Sequence, residues 1–187
     1  YLGRKKMTLS SEAQHELNSL RKLNPQAISA VYDRYFQDVY RFVLYRLNDE
    51  GLAEDISGDV FLRLLEAVKK KRGPKKNMKS WLLSTASHMI SDHLRRRYRR
   101  PTEALPEDLI DQSDSPSALF DRSHQNNLTR EAFQHLTPEQ QNVLTLRFGQ
   151  GCSLEETAAV MKKKSNAIKA LQFRALAALR RQIGEVA

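Results

Sequence analysis

Apolar residues recur along this chain at helical spacing. From Pro25 to Leu47 they fall at Ile28, Val31, Tyr32, Tyr35, Val39 and Phe42, three or four residues apart. That spacing lines them up on one stripe of a helix. Pro25 suits the first turn, where a missing N–H costs little. Asn48 to Gly51 reads as a turn. A second helix follows from about Leu52 to Lys70. Ile56, Val60, Phe61, Leu64, Leu65 and Val68 form its apolar face, and Glu54, Asp55, Asp59, Arg63 and Glu66 fall largely on the other side. Gly73-Pro74 breaks this helix inside a Lys-rich loop. A third helix starts near Ser80, a candidate cap, and runs toward Arg97. Leu82, Thr85, Ala86, Met89, Ile90 and His93 line one of its faces.

The pattern lapses after Arg100. Pro101, Pro106 and Pro116, with Asp and Ser between them, mark a linker. Helical spacing resumes at Leu128 to Leu136. Thr137-Pro138-Glu139-Gln140 then opens a helix carrying Val143, Leu144, Leu146 and Phe148, which stops at Gly149-Gln150-Gly151. Ser153, with Glu156 three residues on, forms a capping box for a short helix ending in Lys162-Lys163-Lys164. Ser165 or Asn166 caps the last helix, which runs to about Ile183. No two-residue alternation is sustained, so the expected fold is all-α. Two small helical domains, residues 23–100 and 128–187, are joined by a flexible acidic linker at 101–127. Residues 1–22 read as an N-terminal extension, and Met7 would serve as a native start that leaves residues 1–6 outside the native chain.

Charge sharpens this division. The 187 residues carry a formal net charge of +9. Lys69 to Arg100 holds twelve Lys or Arg and one acid, Asp92. Pro101 to Asp121 holds six acids and no base, and Lys162 to Arg181 holds seven bases and no acid. Two basic modules beside amphipathic helices favour nucleic acid over mere solubility. A hydrophobic share of 40% suffices for a core. No apolar run approaches the roughly 18 residues of a membrane span. With one cysteine, Cys152, there is no intrachain disulfide and no thiolate cluster for zinc. A cytoplasmic protein is expected, with no cofactor and no metal. Catalytic signatures such as a P-loop are lacking, so no enzyme is expected.

The most specific local pattern is Ser153 to Arg174. A helix-turn-helix needs a small residue where its helices cross, and Ala158 fits. Ile168 and Leu171 would pack the second helix onto Leu154, Val160 and Met161. That helix would present Ser165, Asn166, Lys169, Gln172 and Phe173 toward a major groove. Asn and Gln suit adenine, and Lys suits guanine or phosphate. The plain alternative is a helical hairpin with a solvated Lys patch. Lys162 stands where such motifs usually have Gly, at a position that often needs positive φ. In the first basic block, the run Arg95-Arg96-Arg97-Tyr98-Arg99-Arg100 suits phosphate contact, whereas Trp81 suits the core better than a base-stacking role. Glu54, Asp55 and Asp59 read as a partner-docking surface rather than a metal site.

These residues resemble the extracytoplasmic-function sigma factors of the sigma-70 family, over nearly all of Pro25 to Ile183. Ala53-Glu54-Asp55-Ile56 with Val60-Phe61-Leu62-Arg63 is similar to the family's region 2.2. Ser80-Trp81-Leu82 through Arg95-Arg96-Arg97 is similar to regions 2.3 and 2.4. Leu136-Thr137-Pro138-Glu139-Gln140-Gln141 and the helix-turn-helix pieces Ser153 to Ala158 and Ala167 to Leu176 resemble region 4. The resemblance implies a promoter-recognition factor for RNA polymerase core. Asp55, Asp59 and Glu66, with Arg63 at the edge, would dock on the β′ clamp helices. The loop bearing Lys75, Lys76, Asn77 and Lys79 would help capture a flipped base of the −10 element. His88, Ser91, Asp92, Arg95, Arg96 and Arg99 would contact the opened −10 region. Region 4 would sit on the β flap and read the −35 element through Lys163, Lys164, Ser165, Asn166, Lys169, Gln172, Phe173 and Arg174. An anti-sigma factor is a common further partner in the family. The loop here departs from the family's Phe-Arg before Ala-Trp-Leu, carrying Met78-Lys79-Ser80 instead. The competing readings are a helix-turn-helix regulator that does not bind polymerase, and a nucleic-acid-processing enzyme.

Overall fold

The computed structural model describes residues 11–99 and 128–186, with side chains from 15 to 97 and from 128 to 184. The linker expected at 101–127 lies outside the described residues, as does the Arg99 side chain. Every regular element among the described residues is helical: α1 (Ser11–Arg21), α2 (Pro25–Leu47), α3 (Glu50–Lys69), α4 (Met78–Arg99), α5 (128–134), α6 (Pro138–Leu144), α7 (Leu154–Met161) and α8 (Ser165–Val186). A π-helical turn, Thr145–Gly149, continues α6. The chain divides into two compact units between Met89 and Ile90.

In the first unit, Asn24 caps α2 by accepting from the N–H groups of Gln26 at 2.9 Å and Ala27 at 3.1 Å. Asn48 ends α2 in the left-handed conformation, φ 53°. Asp49 immediately caps α3, accepting from Leu52 N–H at 2.9 Å, so the helix begins at Glu50 rather than near Leu52. The buried stripe of α2 (Val31, Val39, Phe42, Val43) meets Ala53, Ile56, Val60, Leu64 and Val68 of α3. Gly73 does not itself end α3. The helix stops at Lys69, Lys71 takes a φ of 56°, and a Cβ on Gly73 would lie 2.9 Å from Val68 Cγ2, so glycine lets the loop fold back closely. Nor does Ser80 cap α4. Asn77 does, its side chain accepting from Ser80 N–H at 2.9 Å, so α4 starts at Met78. Trp81 is half-buried, short of the core position expected for it.

Within the stretch read as an extension, α1 packs into this unit. Leu17 and Leu20 of α1 are 2% and 1% exposed, a burial of about 1.5–3 kcal/mol each. Glu16 fastens α1 to α2, accepting from Arg34 Nη1 at 3.0 Å and from the Tyr35 hydroxyl at 3.3 Å. Burial, then the Glu16 carboxylate, pushes the Tyr35 phenol up from its ordinary range. Arg46 is 3% exposed on the buried stripe of α2, and its Nε and Nη1 have no hydrogen-bond partner.

In the second unit, reciprocal capping boxes start α6 (Thr137 with Gln140) and α7 (Ser153 with Glu156). Leu136, Val143, Leu144, Ala158, Ile168, Leu171, Ala175 and Ala178 form one apolar cluster. Ala158 and Ile168 thus meet in the core, as a helix-turn-helix requires. Lys162 ends α7 at φ 53°, ψ 40°, the left-handed geometry expected of that turn. The last helix begins at Ser165 itself, with the Lys164 carbonyl accepting from Ile168 N–H at 3.1 Å, so neither Ser165 nor Asn166 is the cap.

Candidate nucleic-acid interface

The packing of α8 decides which side chains it offers. Ile168, Leu171, Ala175 and Ala178 are buried. At 3.6 residues per turn the opposite stripe carries Asn166, Lys169 and Phe173, with Arg174 and Ala170 beside it. All five are exposed, and Phe173 is 76% exposed. Lys164 is exposed just ahead of the helix and Ser165 is half-buried. Lys163 is turned toward α6, where its Nζ meets Glu139 Oε1 at 2.9 Å.

Gln172 sits at the flank of this stripe, half-buried. Its Oε1 accepts from Arg147 Nε at 2.9 Å, and Arg147 Nη1 also donates to the Cys152 carbonyl. One amide atom needed for a bidentate adenine contact is therefore already engaged with a cation. Arg147 is a residue that sequence reasoning missed. Its partner lies 25 positions away, and the π turn that aims it adds a residue per turn, which shifts the helical phase.

Two other surfaces lie on α3 and on α4 with the loop before it. Glu54, Asp55, Asp59, Arg63 and Glu66 are all exposed on α3, together as expected. They adjoin a groove of 430 Å³ whose lining includes Leu20, Ile28, Tyr32, Phe61, Leu62 and Leu65 as well as Glu54, Asp55 and Asp59. Leu62 is 59% exposed. Among the described residues no group of three or more His, Cys, Asp or Glu could hold a metal ion.

The basic surface of this chain's −10 candidates is more engaged. Lys75 and Lys76 are exposed in the loop. Asn77 is occupied as a cap, and Lys79 Nζ pairs with Asp38 Oδ2 at 2.8 Å. On α4, His88 Nδ1 lies 2.6 Å from the Ser84 carbonyl, and Arg95 Nη2 pairs with Asp92 Oδ1 at 2.7 Å. Ser91 and Arg96 are exposed.

Known proteins share this arrangement. The pattern of Sigma-70 region 2 matches residues 31–100, and that of Sigma-70, region 4, matches residues 132–181. The chain is 30% identical over 164 residues to the ECF RNA polymerase sigma factor SigX of Bacillus subtilis, covering 84% of each chain. The chain belongs to the extracytoplasmic-function sigma factors of the sigma-70 family. It is also 35% identical over 167 residues to the ECF RNA polymerase sigma factor BldN of Streptomyces coelicolor, covering 83% of this sigma factor but 60% of that one. Its fold is similar to that of CnrH, solved in complex with the cytosolic domain of CnrY (TM-score 0.70, 17% identity, 94% and 99% of the two chains). Sigma factors of this family bind core RNA polymerase, direct it to promoter DNA and are not enzymes. No helix among the described residues is long and apolar enough to cross a membrane.

Proposed function

We propose that this sigma factor divides promoter recognition between its two units as the sequence resemblance implies. Asp55, Asp59 and Glu66 dock on the β′ clamp helices, with Arg63 at the edge, and the apolar groove beside them receives side chains of the same partner. The loop with Lys75, Lys76, Asn77 and Lys79 captures a −10 base. His88, Ser91, Asp92, Arg95, Arg96 and Arg99 follow the opened strand. Lys164 just ahead of α8, and Ser165, Asn166, Lys169, Gln172, Phe173 and Arg174 on it, read the −35 duplex, with Lys163 at the edge, while region 4 rests on the β flap. The protein works in the cytoplasm without catalysis of its own. An anti-sigma factor is a further partner, as it is for the sigma factor RpoE of Bartonella quintana, whose structure in complex with the anti-sigma factor NepR has a similar fold (TM-score 0.61, 17% identity, 82% and 94% of the two chains).

The observation that carries this reading is the exposed polar stripe of α8, set opposite a buried core and next to a left-handed Lys turn. Unstacking costs a few kcal/mol per step, so a duplex reader that fixes register and a strand-binding surface that traps the opened region supply complementary parts of the task. A pull-down with core polymerase tests the docking half. The wild-type chain retains core, and Asp55→Lys with Asp59→Lys releases it. Retention by the double variant would move the docking surface elsewhere.

A further inference from the structure

We infer that Phe173 reads the 5-methyl group of a thymine in the −35 element, an inference that rests on α8 being the −35 reader. Isolated exposed apolar side chains are ordinary on protein surfaces. Phe173 differs by its place. At 76% it is the most exposed of the large hydrophobic side chains among the described residues. It lies seven residues after Asn166, and a heptad drifts by only ~20° around a helix, so the two share the face turned away from Ile168 and Leu171. Lys169 stands on the same stripe and Arg174 follows at its side, both exposed.

Those cations draw the face onto phosphates, which fix position but carry no sequence information. The phenyl ring at the centre of the face must then lose its water against something. Base edges in the major groove present donors and acceptors, and one apolar group, the thymine C5-methyl. A ring with no hydrogen-bonding atom packs best against that methyl, the largest apolar projection on the groove edge. Gln172, the neighbour with donors and an acceptor, is tethered by Arg147 at the flank. Apolar readout therefore falls to the freely projecting ring.

The test uses the full chain with core polymerase. A preferred −35 element is first selected from a randomised promoter library. Each of its thymines, on either strand, is then replaced in turn by deoxyuridine, which removes only the methyl group. Binding of the wild type should weaken about fourfold at one position, the worth of one buried carbon. Phe173→Ala should bind the thymine promoter about as weakly, and should not distinguish thymine from uracil there. Phe173→Leu should keep part of the difference. Melting curves confirm that each variant is folded. Wild-type indifference to every uracil overturns the proposal, as does a selected element without thymine or a Phe173→Ala protein that still senses the methyl group. If no −35 sequence is preferred over scrambled duplex, the reading of α8 fails and takes this inference with it. A clear −35 preference with methyl indifference removes Phe173 alone.

Discussion

The two basic surfaces differ in how their side chains are held. On α4 and the loop before it, Asn77 caps α4, Lys79 pairs with Asp38, His88 bonds the Ser84 carbonyl and Arg95 pairs with Asp92. On α8, Asn166, Lys169, Phe173 and Arg174 stand exposed, and the tethered residue, Gln172, lies at the flank. A surface whose polar groups already have partners yields them only to something better placed. An open stripe docks at little cost. The first arrangement suits a strand that must be separated before it is bound, and the second suits duplex whose base edges are already displayed. Net charge alone would not distinguish them, since both blocks are rich in Lys and Arg.

Arg46 is the exception to internal pairing in the first unit, and the largest effect is expected there. Burial lowers its guanidinium from the ordinary arginine range to about 10. The folded state thus holds the proton less tightly than the unfolded chain. Its charge costs stability at every pH below about 10, and the cost fades as pH rises from there toward the unfolded-chain value. Arg46→Met should stabilise the protein by about 1–3 kcal/mol, since it removes buried donors that have no partner. Denaturant unfolding checks this. A less stable variant would show that the guanidinium has a partner in solution.

The next effect belongs to the second unit. Lys162 holds φ 53° without being glycine. Lys162→Gly should raise stability by ~1 kcal/mol. It should also weaken duplex binding and reduce the salt slope by about 1, if the lysine meets a phosphate. Unchanged binding would make that charge incidental to the DNA-facing surface.

The smallest effect tests the pairing itself. Lys79 and Asp38 are each about a third exposed, so Asp38→Asn should cost under about 1 kcal/mol of stability. Released from its partner, Lys79 should bind single-stranded −10 DNA more tightly. Weaker strand binding would contradict the idea that the first surface is restrained by its own pairs.

The parts of this molecule that could be read from sequence were those with short-range signals. Pro25 and Leu47 bound α2 as read, the Ser153 and Glu156 box starts α7, and Ala158, Ile168 and Leu171 meet in a core. The acidic face of α3 needed only helical periodicity. The α4 start was misplaced by taking the Ser80 hydroxyl as the cap, where Asn77 caps, and the α3 start by reading Asn48 to Gly51 as a turn, where Asp49 caps. Among its described side chains, α1 gives Leu17 and Leu20 to the core, too few to set a period. Arg147 and Gln172, and Lys79 and Asp38, meet through folding. Residue spacing carries no trace of either pair.

The central claim is that α8 reads −35 sequence while α4 and the loop before it serve the −10 region. It is tested most directly by run-off transcription with core polymerase on a promoter library randomised at both elements, comparing the wild type with Lys169→Ala. The account predicts that −35 preference shifts by ~1–3 kcal/mol at one position while −10 preference is unchanged. An equal loss on every −35 sequence would make Lys169 a phosphate contact alone, and a shift in −10 preference would contradict the division between the two surfaces.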